Sequence, residues 1–328
     1  MEDCKLLSII IPAYNVEQYL ARCVDSCEAI DVRNEDLEII IIDDGSADGT
    51  MQVAKECAKR YSNIDVVSQA NQGQSVARNE GIKRAKGKYL WFVDSDDYVK
   101  TEGVAEVLNQ CLKHNIEIAF FRMSVETPDG KSYLSNLVCK DTDTILCGRD
   151  VILSGFCGGS VCNSLYSKKF LKDNDLQFFP GIIHQDCELS VRAVALAKSV
   201  MQFDVPLYVY FYNSQSCTRS NDYKKRRKAC LSDVIIANNL SVFASKIENR
   251  QLRVHFRKMS NSIIVSSFMT QMRMRSGDGL LRELFREVSA TTLYPIKGRT
   301  LSRKTTLLIP IVNCGWLMRR LVKCDEKR

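Results

Sequence analysis

Three carboxylates in four positions, Asp94-Ser95-Asp96-Asp97, follow directly on the aromatic and apolar run Tyr89-Leu-Trp-Phe-Val93. That run has the length and composition of a buried strand. Acidic side chains at such density repel one another unless a cation sits among them. In open α/β sheets, ligands bind in the crevice beyond the carboxyl ends of the strands. A divalent cation with oxygen ligands, itself holding a phosphorylated substrate, would answer both the charge and the position. The ordinary alternative is a solvated turn in which Asp96 or Asp97 caps the following helix.

The elements that must position this turn alternate over residues 1–125. Strands are expected at 7–12, 37–43, 64–68, 89–93 and 118–125. Helices are expected at about 16–29, from a cap at Ser46 or Asp48 to residue 60, at 74–86 and at about 101–114. Near-continuous Ile and Val in the strands imply a mostly parallel sheet covered by helices on both faces. The first, second and fourth strands then end on one rim, which gathers Pro12-Ala-Tyr14-Asn15, Asp43-Asp44-Gly45-Ser46 and the acidic turn. Singly, each cluster has a mundane explanation: Gly45 suits a turn with positive φ, and Pro12 and Asn15 can end a strand and begin a helix. Arg78 could be a surface helix residue. Together they suit a nucleotide, since Tyr14 offers a face for stacking a base and Asp44 can accept a hydrogen bond from a base imide N–H. Neither G-x-x-x-x-G-K-[ST] nor G-x-G-x-x-G follows the first strand, so a P-loop and a dinucleotide fingerprint are both unsupported.

Ser8-Ile-Ile-Ile-Pro-Ala-Tyr-Asn15, Ile42-Asp-Asp-Gly-Ser-Ala-Asp-Gly-Thr50, Ala77-Arg-Asn-Glu-Gly-Ile82 and Val93-Asp-Ser-Asp-Asp-Tyr98 resemble, in order and spacing, successive blocks of family 2 glycosyltransferases. The resemblance covers about residues 5–215. It implies an α/β GT-A fold, a nucleotide-sugar donor and a Mn²⁺ or Mg²⁺ cofactor. It places Pro12, Tyr14 and Asp44 around the base, usually uracil, Asp94 and Ser95 at the ribose, Asp96 on the metal and Arg78 near the donor. A further block, Phe178-Phe-Pro-Gly-Ile-Ile-His-Gln-Asp186-Cys-Glu-Leu, is similar to the segment where the family has a Glu-Asp pair opening a helix, its Asp being the general base. Gln185 replaces the Glu here, so only Asp186 is carried over. The plainer role for Asp186 is a carboxylate facing a helix dipole. Asn213-Ser-Gln-Ser216-Cys-Thr218 is similar to a polar loop near the acceptor.

The activity implied is inverting transfer from a UDP-sugar to a hydroxyl of a glycan or lipid-linked saccharide, in surface polysaccharide synthesis. A sugar nucleotidyltransferase would also have a nucleotide and metal rim, but that class carries a Gly-rich, Arg/Lys-containing loop after its first strand, which Pro12-Ala-Tyr-Asn15 is not. A catalytically silent nucleotide- or glycan-binding protein is the alternative from another class, and the presence of Asp44, Asp94, Asp96 and Asp186 counts against it.

At 328 residues there is room for a large domain with an appendage, and 45% hydrophobic with 26% charged residues is the composition of a soluble globular chain. The apolar stretch at 6–12 is too short for a signal peptide. Fourteen cysteines, scattered and without a C-x-x-C pair, read as reduced core residues, and His114, His184 and His255 are too separated for a histidine metal centre.

The net charge of +7 is unevenly divided. Residues 224–328 hold 23 Lys and Arg against 7 Asp and Glu, whereas residues 1–223 hold 23 against 32. A GT-A domain is expected over 1–223, with its donor-binding part at 1–125 and acceptor part at 126–223, followed by a basic helical extension over 224–328. Lys224-Lys-Arg-Arg-Lys228 could meet nucleic acid, but an acidic, metal-type rim and the lack of any nucleic-acid module argue for no nucleic acid. Gly277-Asp-Gly279 breaks the helical pattern, which resumes near residue 280. The apolar stretch from Leu307 to Met318 is interrupted by Pro310, Asn313 and Gly315 and is too short to span a bilayer. With Trp316 and flanking Arg299, Arg303, Lys304, Arg319, Arg320 and Lys323, it suits shallow insertion at an anionic membrane surface. The expectation is a cytoplasmic enzyme, peripheral on the inner face of the cell membrane. The alternative is a short helix packed on the catalytic domain with its cations solvated.

Overall fold

The computed structural model describes residues 5–127, 129–211, 222–274 and 278–325. The chain divides into two compact units, residues 1–181 with 185–217 and residues 182–184 with 218–328.

In the first unit, β1 (Leu7–Ala13), α1 (Glu17–Glu28), β2 (Leu37–Asp43), α2 (Thr50–Arg60), β3 (Ile64–Ser68), α3 (Gln74–Arg84) and β4 (Tyr89–Phe92) alternate. The chain continues through β5 (Tyr98–Val99), α4 (Val104–His114), β6 (Ile118–Glu126), β7 (Ser132–Leu134), α5 (Gly148–Leu153), β8 (Ser164–Ser167), α6 (Lys168–Asp173), α7 (Gln185–Leu196) and β9 (Val200–Phe211). One sheet orders them β3-β2-β1-β4-β8-β6-β9-β5, with β7 beside β6.

The half with the sequence blocks, β3-β2-β1-β4, is wholly parallel. Every residue of β1, β2 and β4 is buried, which is why their sequences run apolar rather than alternating. The pairings Ala13↔Asp43 and Ile10↔Phe92 bring the ends of β1, β2 and β4 to one edge. Beyond β4 the sheet is mixed: β8 is antiparallel to both β4 and β6, while β6 and β9 are parallel. Trp91 lies edge-on to Phe121 at 5.2 Å and donates its indole N–H to the Cys162 carbonyl at 2.7 Å, so the largest core side chain is also a polar tie across the sheet.

At the working edge, α1 and α2 cap one another. Asp48 accepts the backbone N–H groups of Glu17 (3.2 Å) and Thr50 (3.0 Å), and Glu17 accepts that of Gly49 (2.9 Å). Orphan donors at two helix starts are thereby satisfied together, which fixes both strand-to-helix turns.

The second unit is helical: α8 (Tyr223–Lys246), α9 (Arg250–Met274), α10 (Leu280–Ser289), α11 (Arg303–Thr306), α12 (Ile309–Asn313) and α13 (Gly315–Asp325). The resumption expected near residue 280 is α10, with Gly279 at φ +75° before it. Its core joins Val234, Ala237, Ile264, Phe268 and Leu284 with Ile309, Val312, Met318 and Val322. The apolar tail stretch therefore packs on this unit's own core along one side. Its other side is bare, with Leu307 77% and Trp316 63% exposed. Among the described residues no helix is long and apolar enough to cross a membrane. Seven of the described cysteines, including Cys23, Cys27 and Cys162, are buried as core residues.

Candidate active site

The ends of β1 and β2 are stitched to each other. Asn15, at φ +53°, donates its N–H to the Ser46 hydroxyl (3.0 Å) and accepts the Ala47 N–H at 2.8 Å. Gly45 sits at φ +73°, where a Cβ would lie 2.9 Å from the Asn71 nitrogen, so the turn excludes any other residue. Pro12 is buried within β1, and Tyr14 stands at the edge with its ring half exposed. Asp44 is buried. It accepts bonds from the Gln69 side chain (2.7 Å), the Gln72 N–H (2.9 Å) and the Gly73 N–H (2.7 Å). Its Oδ2 takes only the last of these, which leaves that oxygen capacity for one more donor.

The acidic turn resolves into distinct roles. Asp97 is buried and ties the turn to β9, accepting from the Tyr208 hydroxyl and from the Phe211 N–H at 2.8 Å. Burial, with the charges of Asp94 and Asp96 added, pushes its carboxyl up to about 8. Neither Asp96 nor Asp97 caps α4. Asp31 does, accepting the N–H groups of Gly103 (2.9 Å) and Ala105 (2.8 Å). Ser95 is buried in the turn. Asp96 is half-buried, and its carboxylate accepts no hydrogen bond from another of the described residues. Burial and then the Asp94 charge push it up to about 6. Arg22 of α1 donates to the Asp96 carbonyl at 2.8 Å while its guanidinium lies over Tyr98 (4.8 Å) and Phe211 (4.3 Å).

A desolvated carboxylate crowded by a second one favours a cation beside it. Among the described residues, no group of three or more His, Cys, Asp or Glu is placed to hold a metal unaided. Asp96 could hold an ion only if the remaining ligands came from substrate oxygens, as for Mg²⁺ when one or two carboxylates and phosphates share it.

Beside the turn, Arg78 of α3 is almost wholly buried between two carboxylates. One terminal nitrogen donates to Asp94 at 2.7 Å and the other to Asp186, in the first turn of α7. Burial works against its charge, but Asp186 and Asp94 outweigh that and keep it protonated. The Phe178 ring lies 5.1 Å from the guanidinium, and the Asn79 side-chain amide donates to the Phe178 carbonyl (2.8 Å) and accepts the Phe178 N–H (2.9 Å). That latch draws the segment before α7 onto α3. Gln74 donates to Asp94 at 2.8 Å, and Gln185 donates to Gln74 at 2.6 Å. Burial raises the Asp186 carboxyl above the usual range; Arg78 opposes the rise and Asp94 reinforces it. A carboxylate so placed can take a proton from a neighbouring hydroxyl and return it to solvent.

The structure brings Arg78, Asp94 and Asp186 into one ion-paired cluster, and sets Tyr14, Asp44 and Asp96 along the same strand edge. Sequence reasoning missed Gln74, Asn79, Arg22 and Tyr208. The spacing of Gln74 and Arg78, one helical turn apart and ahead of the acidic turn, was the available signal for the first of these. The polar loop at 213–218 lies outside the described residues.

The model for Glycosyl transferase family 2 matches residues 8–173. The uncharacterized glycosyltransferase EpsJ of Bacillus subtilis is 31% identical over 222 residues, which cover 65% of this chain and 63% of EpsJ. The crystal structure of S. aureus TarS 1-349 in complex with UDP-GlcNAc superposes with a TM-score of 0.70 at 18% identity, over 98% of this chain and 91% of that one. A mannosyltransferase from Pyrobaculum calidifontis, solved with GDP-Man and Mn²⁺, superposes with a TM-score of 0.54 at 11% identity, over 97% of this chain and 85% of that one.

Proposed function

Because the chain belongs to glycosyl transferase family 2 and has the expected GT-A fold with a helical C-terminal region, we propose that it moves a sugar, with inversion, from a UDP-sugar to a hydroxyl of a glycan or lipid-linked saccharide in surface polysaccharide synthesis. The observation that carries this reading is the Arg78 bridge, in which one buried cation holds a donor-side carboxylate, Asp94, and a candidate base, Asp186. TarS with UDP-GlcNAc and the mannosyltransferase with GDP-Man and Mn²⁺ lend support for a nucleotide-sugar and a divalent metal.

In this reading the base stacks on Tyr14 and donates its imide N–H to Asp44, with Pro12 behind it, and the ribose meets Asp94 and Ser95. Asp96 would hold Mn²⁺ or Mg²⁺, which when bound neutralises charge on the departing diphosphate. Asp186 takes the acceptor hydroxyl proton as that oxygen attacks the anomeric carbon from the face opposite the nucleotide. The new glycosidic bond forms, the sugar–phosphate bond breaks, and UDP leaves with the bonding pair. General-base help of this kind is worth roughly 10²–10⁴-fold. Arg78 keeps Asp186 oriented before transfer, and remains paired with Asp94 once Asp186 carries the proton.

The bare side of the tail, Leu307 and Trp316 among basic residues, is read as a dock for an anionic membrane surface, the cytoplasmic face on which lipid-linked acceptors are displayed. The deciding experiment incubates the protein with a panel of UDP-sugars and measures UDP release. Release that needs Mn²⁺ or Mg²⁺, stops on chelation and is lost in Asp96→Ala is the expected result. No release from any UDP-sugar, or release indifferent to metal, overturns the donor or the metal assignment respectively.

A further inference from the structure

At the opposite end of the first unit's sheet the sign of the charge reverses. Lys86 and Lys88 lead into β4, and Lys168 and Lys172 stand one turn apart on α6. The pairing Tyr89↔Ser167 sets these segments side by side, and the Lys168 N–H donates to the Lys88 carbonyl at 2.9 Å. With Tyr89 and Leu112 in the wall, these four lysines and the ion-paired Lys169 and Asp173 line a cavity of about 690 Å³. That volume lies within the range of small-molecule sites.

The nearby carboxylates are already committed. Asp173 is paired with Lys169, and Glu38 is engaged by the Ser8 hydroxyl and the Lys86 and Gly87 N–H groups. Lys168 donates to the Ala85 carbonyl, whereas Lys86, Lys88 and Lys172 form no ion pair among the described residues. Like charges at i,i+4, as at 168 and 172, are themselves unfavourable. Four ammonium groups around one concavity therefore gain from an anion, the mirror image of the acidic turn.

We propose that this cavity binds a phosphate group carried on a saccharide or polyol chain, as a second anchoring point for a phosphate-bearing polymeric acceptor, a proposal that rests on the transfer reading above. Lysines serve phosphate well as point charges, and the Tyr89 and Leu112 wall suits a carbon skeleton beside it. At about 3.3 Å per residue, the five steps from Tyr89 to Asp94 separate this cavity from the acidic turn by roughly 16 Å. One UDP-sugar cannot occupy both ends, so an anion held in this cavity is distinct from the donor proposed for the acidic turn.

The test is fluorescence anisotropy of a labelled glycerol phosphate oligomer on the full-length protein, with UDP and Mn²⁺ saturating the donor side. Binding should weaken with salt, compete with inorganic phosphate, and fall at least about tenfold in Lys88→Glu/Lys172→Glu, a loss of about 1.4 kcal/mol or more. Lys224→Glu/Lys225→Glu, the same charge change on exposed α8, should stay within about twofold, and an uncharged dextran oligomer should not bind. Equal losses in the two double variants, no loss in the first, or equal binding of dextran would each overturn the proposal. A cooperative thermal transition confirms that the variants fold. UDP release is scored separately on the unaltered protein: release without oligomer binding sinks the cavity alone, and oligomer binding without release sinks the transfer reading alone.

Discussion

Asp186 and Gln185 are neighbours with opposite lessons. Replacing Asp186 by Asn keeps the shape and removes the proton acceptor, so transfer should fall at least about a hundredfold while UDP-sugar affinity stays within a few-fold. Its pH profile supplies a second check. A base raised by burial loses function as pH falls through a pKa above the ordinary carboxylate range, so the unaltered enzyme should show an acid limb there, and Asp186→Asn should lack it. Steady-state kinetics against pH with both proteins decides this, and a variant within a few-fold of the original returns Asp186 to an architectural role. Gln185 is a donor in a chain that runs from it to Gln74 and on to Asp94. A glutamate there could not donate, and turning the Gln74 amide to meet it would set an oxygen against Asp94. Gln185→Glu should therefore cost about 1–3 kcal/mol and, by adding a negative charge to the cluster, move the acid limb upward. Urea unfolding and the same pH profile measure the two effects; an unchanged limb would show that this position does not reach Asp186. Beyond the spacing of Gln74 and Arg78, this chain of amides was not legible in the sequence, because an exposed-looking glutamine declares its partner only when two distant segments meet.

Among the elements, α3 does the most positioning, and it sits unusually close to β1. Gly81 is the reason: a Cβ there would collide with the Ile10 side chain. Gly81→Ala gains about 1 kcal/mol of helix propensity but overpacks at a cost of about 1–3 kcal/mol. Because Ile10 is branched and held in the central strand, net destabilisation is expected, with partial recovery in Gly81→Ala/Ile10→Val. Denaturant midpoints of the two variants test it, and a single variant more stable than the original would mean that the helix shifts freely. The parallel strands and their helices were readable from composition: strands buried on both faces run apolar, and the helix expected at about 16–29 is observed as α1, Glu17–Glu28. Less readable was the insertion of β8 between β4 and β6. Four residues pairing antiparallel carry too little pattern to reveal a partner, which is chosen by how the far half of the sheet closes. Likewise Arg78 reads as a surface cation on its helix, and its burial follows only from the two carboxylates that converge on it.

For the whole molecule, the uneven charge was visible at once, but which face of the tail is free was not. Ile309, Val312, Met318 and Val322 complete the helical unit's core, so deleting the tail would damage that core as well as any docking surface. Point substitutions separate the two. Val312→Ser should lower the melting temperature, whereas Leu307→Ser/Trp316→Ser should change stability by no more than about 0.5 kcal/mol yet abolish sedimentation with vesicles containing anionic lipid. Sedimentation with neutral vesicles as strong as with anionic ones, or retained in the double variant, would remove the membrane role. Back at the first unit, the clasp of Asp44 on the Gln72 and Gly73 N–H groups bears on any attempt to redesign the enzyme. The residue proposed to read the nucleobase also fastens the start of the helix that carries Gln74 and Arg78. Under that proposal donor choice and catalytic geometry would be inherited together, and retuning for another base would have to begin at the open face of Tyr14, leaving Asp44 alone.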